Sequence, residues 1–266
     1  MRRLRRLIQK RSLRWSEGVC VLEGPDLIQS ALAAGVEFEA LYVDESSASA
    51  PIVAGVLEQA EGAGVRVFSL AKGVLEKIAD AQTPQPLLAS VRFRTVRVEE
   101  IAPTGLTLVL HEVRDPGNAG TIIRSADAAG ATAVILTGQS VDPFNPKTLR
   151  ATAGSIFHIP IAVASLEETL GHFTAAGVQT LATVVRGARS YRTVDFTQAA
   201  AVVIGNEASG LDAQSISMCS STVTIPMAGR SESLNAAIAA SLIAFEALYQ
   251  REDANTSSPA RSLEES

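Results

Sequence analysis

Three glycine-bearing turns hold most of the polar side chains whose spacing suits chemistry. They read Asp115-Pro-Gly-Asn-Ala-Gly120, Gly205-Asn-Glu-Ala-Ser-Gly210 and Ile225-Pro-Met-Ala-Gly229, each between an apolar run and a helical pattern. In an open parallel sheet, ligands settle at the carboxyl ends of strands, where helix N-termini and glycines expose backbone amides. Such turns suit a small ligand or an anionic substrate. They do not suit the usual dinucleotide or P-loop chemistry, because neither G-x-G-x-x-G nor G-x-x-x-x-G-K-[ST] occurs at any of them. Beside the glycines stand Asn118, Glu207, Ser233 and Asn235, and Arg124 falls at the end of the first turn of the helix expected after the Asn118 loop. Each also has a plainer alternative. Asn118 can be a turn residue, Glu207 and Asn235 hydrogen-bonders at helix termini, and Ser233 an N-cap.

The elements that must position these residues alternate between strand and helix. From Leu106 onward, LTLVLHEV, ATAVILTG, HIPIAVA, VQTLATVV, AAVVIG and STVTIP read as strands, separated by helical stretches such as TIIRSADAAG and SLEETLGHFTAAG. This is the pattern of an α/β domain with a parallel sheet. Ser165 and Glu168 form the Ser-x-x-Glu capping box at the start of one helix. The last helix carries Leu234, Ile238, Leu242, Phe245 and Tyr249 at three- or four-residue spacing, with Ala236, Ala237, Ala239, Ala240 and Ser241 on its other faces. An apolar stripe and a small-residue face together predict packing on more than one side.

An earlier set of strands and helices, in VCVLEGPDLIQSALAAG, FEALYVDE, PIVAGVLEQAEGAG, VRVFSL and LLASVRF, makes a smaller α/β module, with a short helix expected over 72–79. It has no paired carboxylates, activated nucleophile or phosphate loop, so it suits holding a substrate better than changing one. The expected division is 1–95 as this module, 96–105 as a polar linker, 106–250 as the second domain and 251–266 as a disordered tail. The chain begins with Arg2, Arg3, Arg5, Arg6, Lys10, Arg11 and Arg14 before any acidic residue. Such a basic end can contact nucleic-acid phosphates through counterion release, or serve as a solvated, partly helical tail striped by Leu4, Leu7 and Ile8. Lys147 and Arg150, in a loop with Asn145 and Pro146, are further candidates for nucleic-acid phosphate contacts, expected on the same face as the glycine turns.

Composition narrows the class. The 266 residues are 47% hydrophobic and 19% charged, with a net charge of -5, as in a soluble globular protein with a local basic patch rather than a uniformly basic surface. No apolar run approaches the roughly 20 residues of a membrane span. Cys20 and Cys219 form no CxxC pattern, and His111, His158 and His172 lack metal-ligand spacing. A cytoplasmic protein without a metal site is the expectation.

The segments Asn118-Ala-Gly120-Thr-Ile-Ile-Arg124, Gly205-Asn-Glu207-Ala-Ser-Gly210-Leu211 and Ile225-Pro226-Met227-Ala-Gly229-Arg-Ser-Glu-Ser233-Leu234-Asn235 resemble the three motifs of the SpoU family, in order and spacing, over about Leu106 to Tyr249. These are RNA ribose 2′-O-methyltransferases of the wider SPOUT class. The N-terminal half resembles the substrate-binding domain, similar to certain RNA-binding ribosomal proteins, that some members carry. The resemblance implies a parallel sheet with a deep trefoil knot, S-adenosylmethionine as cofactor, and an active site completed by a second subunit of a homodimer. It implies Arg124, Asn118, Glu207, Ser233 and Asn235 as catalytic residues, and Gly205, Ile225, Met227, Gly229 and Leu234 around the cofactor. The extra domain leans toward ribosomal RNA as substrate. Transfer RNA and a noncatalytic RNA-binding or ribosome-assembly role are the alternatives, and a nicotinamide oxidoreductase lacks the phosphate fingerprint.

Overall fold

The computed structural model describes residues 1–75, 77–78 and 85–256, in two compact units. The first comprises Met1–Arg94 together with Asp142–His158. It opens with α1 (Arg2–Gln9) and α2 (Arg11–Glu17), followed by β1 (Val19–Glu23), α3 (Pro25–Ala33), β2 (Phe38–Asp44), α4 (Pro51–Gly62), β3 (Val67–Leu70) and β4 (Leu87–Arg92). The four strands form one sheet in the order β1-β4-β2-β3, antiparallel except where β3 joins β2. The basic N-terminus is a packed helix, because Leu4 and Leu7 enter the core formed with Val19, Val21 and Leu88. The described residues of 72–78 are turns, and the remainder of the short helix expected there lies outside the described residues.

The second unit comprises Thr95–Val141 and the chain from Ile159 onward. It contains β5 (Leu106–His111), α5 (Pro116–Ala128) and β6 (Ala133–Thr137); the excursion Asp142–His158 carries α6 (Pro146–Thr152) and packs with the first unit. Then come β7 (Ile161–Ala164), α7 (Leu166–Ala175), β8 (Gln179–Thr183), β9 (Arg189–Ser190), β10 (Ala200–Ile204), α8 (Ala213–Ser217), β11 (Ser221–Thr224) and α9 (Ala236–Thr256). All seven strands are parallel, in the order β7-β6-β5-β10-β8-β11-β9. The continuous apolar runs of β6 and β10 are buried at every residue, as strands covered on both faces must be. β6 and β7 step away from β5 on one side, and β10, β8 and β11 lie on the other. The strand order reverses at β5, the kind of switch point beside which open α/β sheets bind ligands at the strands' carboxyl ends.

Four expectations need correction. The polar stretch 96–105 is no free linker, since Val98 and Ile101 are buried in the second unit's core. The excursion Asp142–His158 belongs to the first unit because the Asp142 carboxylate accepts from Arg14 and Trp15, and Phe144 stacks on Phe93 with centroids 3.8 Å apart. Lys147 and Arg150 therefore belong to that unit and not to the one bearing the glycine turns. Finally, α9 continues through Arg251–Thr256, so part of the expected tail is helical, while 257–266 lies outside the described residues.

Candidate active site

Three helix-entry segments meet at the carboxyl ends of the sheet strands. At the first, α5 begins at Pro116, earlier than the Asn118 loop suggested, because the Asp115 side chain accepts from the Asn118 amide at 2.8 Å and Pro116 suits the first helical position. Asn118 is thus in the first turn and Arg124 more than two turns in. Arg124 is exposed on α5 and makes no hydrogen bond or ion pair with another described residue. A guanidinium held this way is available to something outside the chain.

The second segment follows β10. Glu207 reaches across to the start of α5 and accepts from the backbone amides of Arg114 and Asp115 at 3.2 and 3.1 Å, and from Asn118 Nδ2 at 3.1 Å. Burial pushes the Glu207 carboxyl up, but the Asn118 amide and these backbone donors outweigh it and hold the group below the ordinary carboxylate range. Glu207 is therefore a carboxylate with its acceptor sites well used, placed where a helix N-terminus favours negative charge. Gly205 is needed for local packing. A Cβ there would stand 2.6 Å from the Gly210 carbonyl carbon and 2.7 Å from the Leu211 nitrogen. Asn206, which sequence reasoning passed over, holds the loop by accepting from Ala208 and Ser209 and donating to the Glu112 carbonyl.

The third segment leads into α9. Its cap is Asn235 rather than Ser233: Asn235 Oδ1 accepts from the amides of Ala237 and Ile238 at 2.8 and 3.2 Å. The same side chain donates from Nδ2 to Asn118 Oδ1 at 2.9 Å. A continuous chain, Asn235 to Asn118 to Glu207, ties the three motifs together across separations of 117 and 89 residues. Ser233 and Glu207 line a cleft of about 200 Å³ whose walls include Gly205, Val223, Ile225, Met227, Leu234 and Ile243. A second cleft of about 340 Å³ shares Val185, Thr224, Ile225 and Met227, and adds Arg186 and Gly229. A Cβ at Gly229 would meet open space, in contrast to Gly205. Of the residues tied by resemblance to a cofactor, four line the first cleft and Gly229 the second. The β8 end, Thr183 to Val185, contributes a wall that no sequence motif marked.

Helix α9 turns its small face inward. Ala236, Ala237, Ala240, Ala244 and Ala247 are buried with Ile243, and Ser241 hydrogen-bonds Ser125 of α5 at 2.7 Å. The large stripe points out, with Ile238 at 53%, Phe245 at 48% and Tyr249 at 66% exposure. Of the cationic candidates in the first unit, Arg2, Arg5, Arg6 and Lys147 are exposed. Arg3 is engaged by Glu17 and Glu39, and Arg150 is paired with Glu23. Among the described residues no helix is long and apolar enough to cross a membrane, and no group of His, Cys, Asp or Glu is arranged to hold a metal.

A seven-stranded parallel sheet with a polar network at its switch point defines an α/β ligand-binding enzyme scaffold. Residues 105–245 match the model of the SpoU rRNA Methylase family, and 1–89 match the MRM3-like substrate binding domain. The chain belongs to the SpoU rRNA methylase family. It is 31% identical over 226 residues to the 23S rRNA (guanosine(2553)-2′-O)-methyltransferase RlmP of Bacillus subtilis, covering 85% of this chain and 86% of that one. Among solved structures it is similar to the AdoMet-bound rRNA methyltransferase of Sinorhizobium meliloti, at 36% identity, TM-score 0.81 and 92% of both chains. It also matches the SpoU methyltransferase AviRb of Streptomyces viridochromogenes in complex with AdoMet, at 29% identity, TM-score 0.85, and 94% of this chain against 97% of that one.

Proposed function

We infer that this protein transfers a methyl group from S-adenosylmethionine to a ribose 2′-hydroxyl of ribosomal RNA in the cytoplasm. The observation that carries the reading is the hydrogen-bonded chain Asn235–Asn118–Glu207, which joins all three family motifs beside an open cleft lined by Glu207, with the exposed Arg124 on the same helix as Asn118. The cleft fits the cofactor: Ile225, Leu234 and Val223 offer apolar surface for a purine, and the adjoining cleft past Met227 and Gly229 extends it for a bent ligand. When bound, the cofactor supplies an electrophilic methyl on a sulfonium. Its transfer to the ribose oxygen would leave the neutral thioether and release the hydroxyl proton to water.

The chain's own residues align and stabilise. Asn118 and Asn235 fix the entry of α5 and α9 relative to each other, and Glu207 locks the α5 end, so alignment is built before substrate arrives. Arg124 clamps a substrate phosphate and stabilises the developing alkoxide. It does not take the proton, because a guanidinium stays protonated in proteins. Arg2, Arg5, Arg6 and Lys147 supply phosphate contacts from the substrate-binding unit.

Two parts of the reading concern assembly. The exposed stripe Ile238, Leu242, Phe245 and Tyr249 packs against a second copy of the chain, since a row of large apolar side chains on one helix is costly to leave in water. The passage from β11 to α9 is threaded as a trefoil knot, carried over from the family.

The test is transfer of labelled methyl from S-adenosylmethionine to fractionated cellular RNA, beside Arg124→Ala. Alkali-resistant label in ribosomal RNA, absent with the variant, is the expected result. Label confined to transfer RNA would replace the substrate, and failure to bind the cofactor would leave a noncatalytic RNA-binding protein.

A further inference from the structure

The end of β5 holds a device that the alignment of the three motifs does not require. Glu112 has φ +59°, a left-handed conformation disfavoured for a residue with a side chain, and it is one of two such non-glycine residues described. Strain of this kind persists where the surroundings over-determine it, often beside a functional site. Here they do so from three directions. Glu112 Oε1 accepts from the Gln139 amide at 2.8 Å, Oε2 pairs with Arg114 at 2.8 Å, and the backbone carbonyl accepts from Asn206 at 2.8 Å. The carboxylate packs over Gly138, itself at φ +62°, where a Cβ would lie 2.5 Å from Glu112 Oε1 and displace it. The Arg114 guanidinium and the Gln139 amide hold the Glu112 carboxyl below its ordinary range.

All of this fixes one exposed cation. The Arg114 side chain is 64% exposed, and the Arg114 backbone amide donates to Glu207 at 3.2 Å, so its stem starts within the candidate active site. Glu112 occupies only one end of the guanidinium. A guanidinium carries five N–H donors in a rigid fork, so several remain for a bidentate anion. An ordinary exposed ion pair between residues two apart would not by itself account for the left-handed backbone of Glu112.

We propose that Arg114 takes a phosphate of the RNA strand at the active site and that Glu112 is the positioning residue that aims it. The proposal rests on the RNA-modifying reading above and adds a second arginine contact to Arg124. The phosphate fixes the strand's register, which is the usual role of backbone contacts.

The experiment uses the full-length protein, deproteinised ribosomal RNA and S-adenosylmethionine, with Arg114→Gln, Arg114→Lys and Glu112→Asn. Asparagine tolerates the left-handed backbone, so the last variant keeps the turn while releasing the arginine. For Arg114→Gln, KM for RNA should rise about tenfold with kcat nearly unchanged, a loss of about 1.4 kcal/mol. The slope of log binding constant against log salt should shrink by about 0.7 to 0.9, the loss of one phosphate contact. Cofactor affinity and Tm should stay at wild-type values, and Arg114→Lys should recover part of the salt slope. Glu112→Asn should raise KM with no fall in Tm. An unchanged salt slope in Arg114→Gln overturns the proposal even if methyl transfer is confirmed. Weakened cofactor binding with RNA binding intact also overturns it, assigning Arg114 to the cofactor's carboxylate. RNA binding with the expected salt-slope change but no methyl transfer by the wild type would sink the enzymatic reading alone. No RNA binding by the wild type would sink both.

Discussion

Two polar clusters, one in each unit, use the same chemistry to opposite ends. In the substrate-binding unit, Arg14 and Asp142 are 2% and 4% exposed and pair at 2.6 Å. Their remaining groups are also used: Arg14 donates to the Leu7 and Ile8 carbonyls, and Asp142 accepts from Trp15 Nε1 and the Phe144 amide. In the methylase unit, Asn235, Asn118 and Glu207 form a similar relay, but Asn235 and Glu207 are exposed, Asn118 is only half-buried, Glu207 lines a cleft, and Arg124, farther along the same helix as Asn118, is left unpaired among the described residues. A sealed, fully satisfied cluster holds chain segments together. An open one with a spare cation retains the capacity to bind something else. Mutations should therefore separate the two, with stability lost at the first and turnover at the second.

The largest effect should come from Arg14→Ala. It leaves the Asp142 carboxylate buried without its cation, costing about 3–5 kcal/mol and lowering Tm on the order of 10 °C by calorimetry. If Tm held, the contrast between clusters would collapse. Arg124→Ala should reduce kcat about 10²- to 10³-fold, with Tm and cofactor affinity unchanged, as for loss of one transition-state donor. Arg124→Lys should recover little of it if fork geometry matters, and near-full turnover would contradict the clamp. Gly205→Ala tests the seam between stability and site. Its Cβ meets backbone at 2.6 Å, so we expect about 1–3 kcal/mol of destabilisation together with weakened cofactor binding by titration calorimetry.

Asn235→Ala removes a cap and a tether at once. It should cost about 1 kcal/mol of stability and a larger share of turnover, since Asn118 loses its partner. The smallest effect concerns pH. Because the folded-state Glu207 carboxyl sits below its ordinary value, its stabilisation is present above about pH 4.3 and lost as pH falls through the lower folded value. Stability from this group should be flat from pH 8 to 5, and Glu207→Gln should remove its share of the acid limb of a Tm-versus-pH curve.

How far the amino-acid sequence determined these features follows from the range of the forces involved. Strand and helix patterning is local, so the parallel α/β character, the small N-terminal module and the three glycine turns were all readable. The start of α5 is also written locally, in Asp115 as N-cap and Pro116 at the first helical position. The inward face of α9 was not readable. Periodicity separates a large apolar stripe from a small one but does not say which meets the sheet, and close approach to α5 selected the alanines. Placement of Asp142–His158 with the first unit, the relay from Asn235 to Glu207, and the strained Glu112 over Gly138 required the tertiary structure. Each joins residues 26 to 128 positions apart through side-chain contacts that leave no period in the sequence. The sequence by itself determined the kind of elements and the residue types available for chemistry. Only the packing of those elements decided which polar groups are spent on one another and which remain free for a substrate.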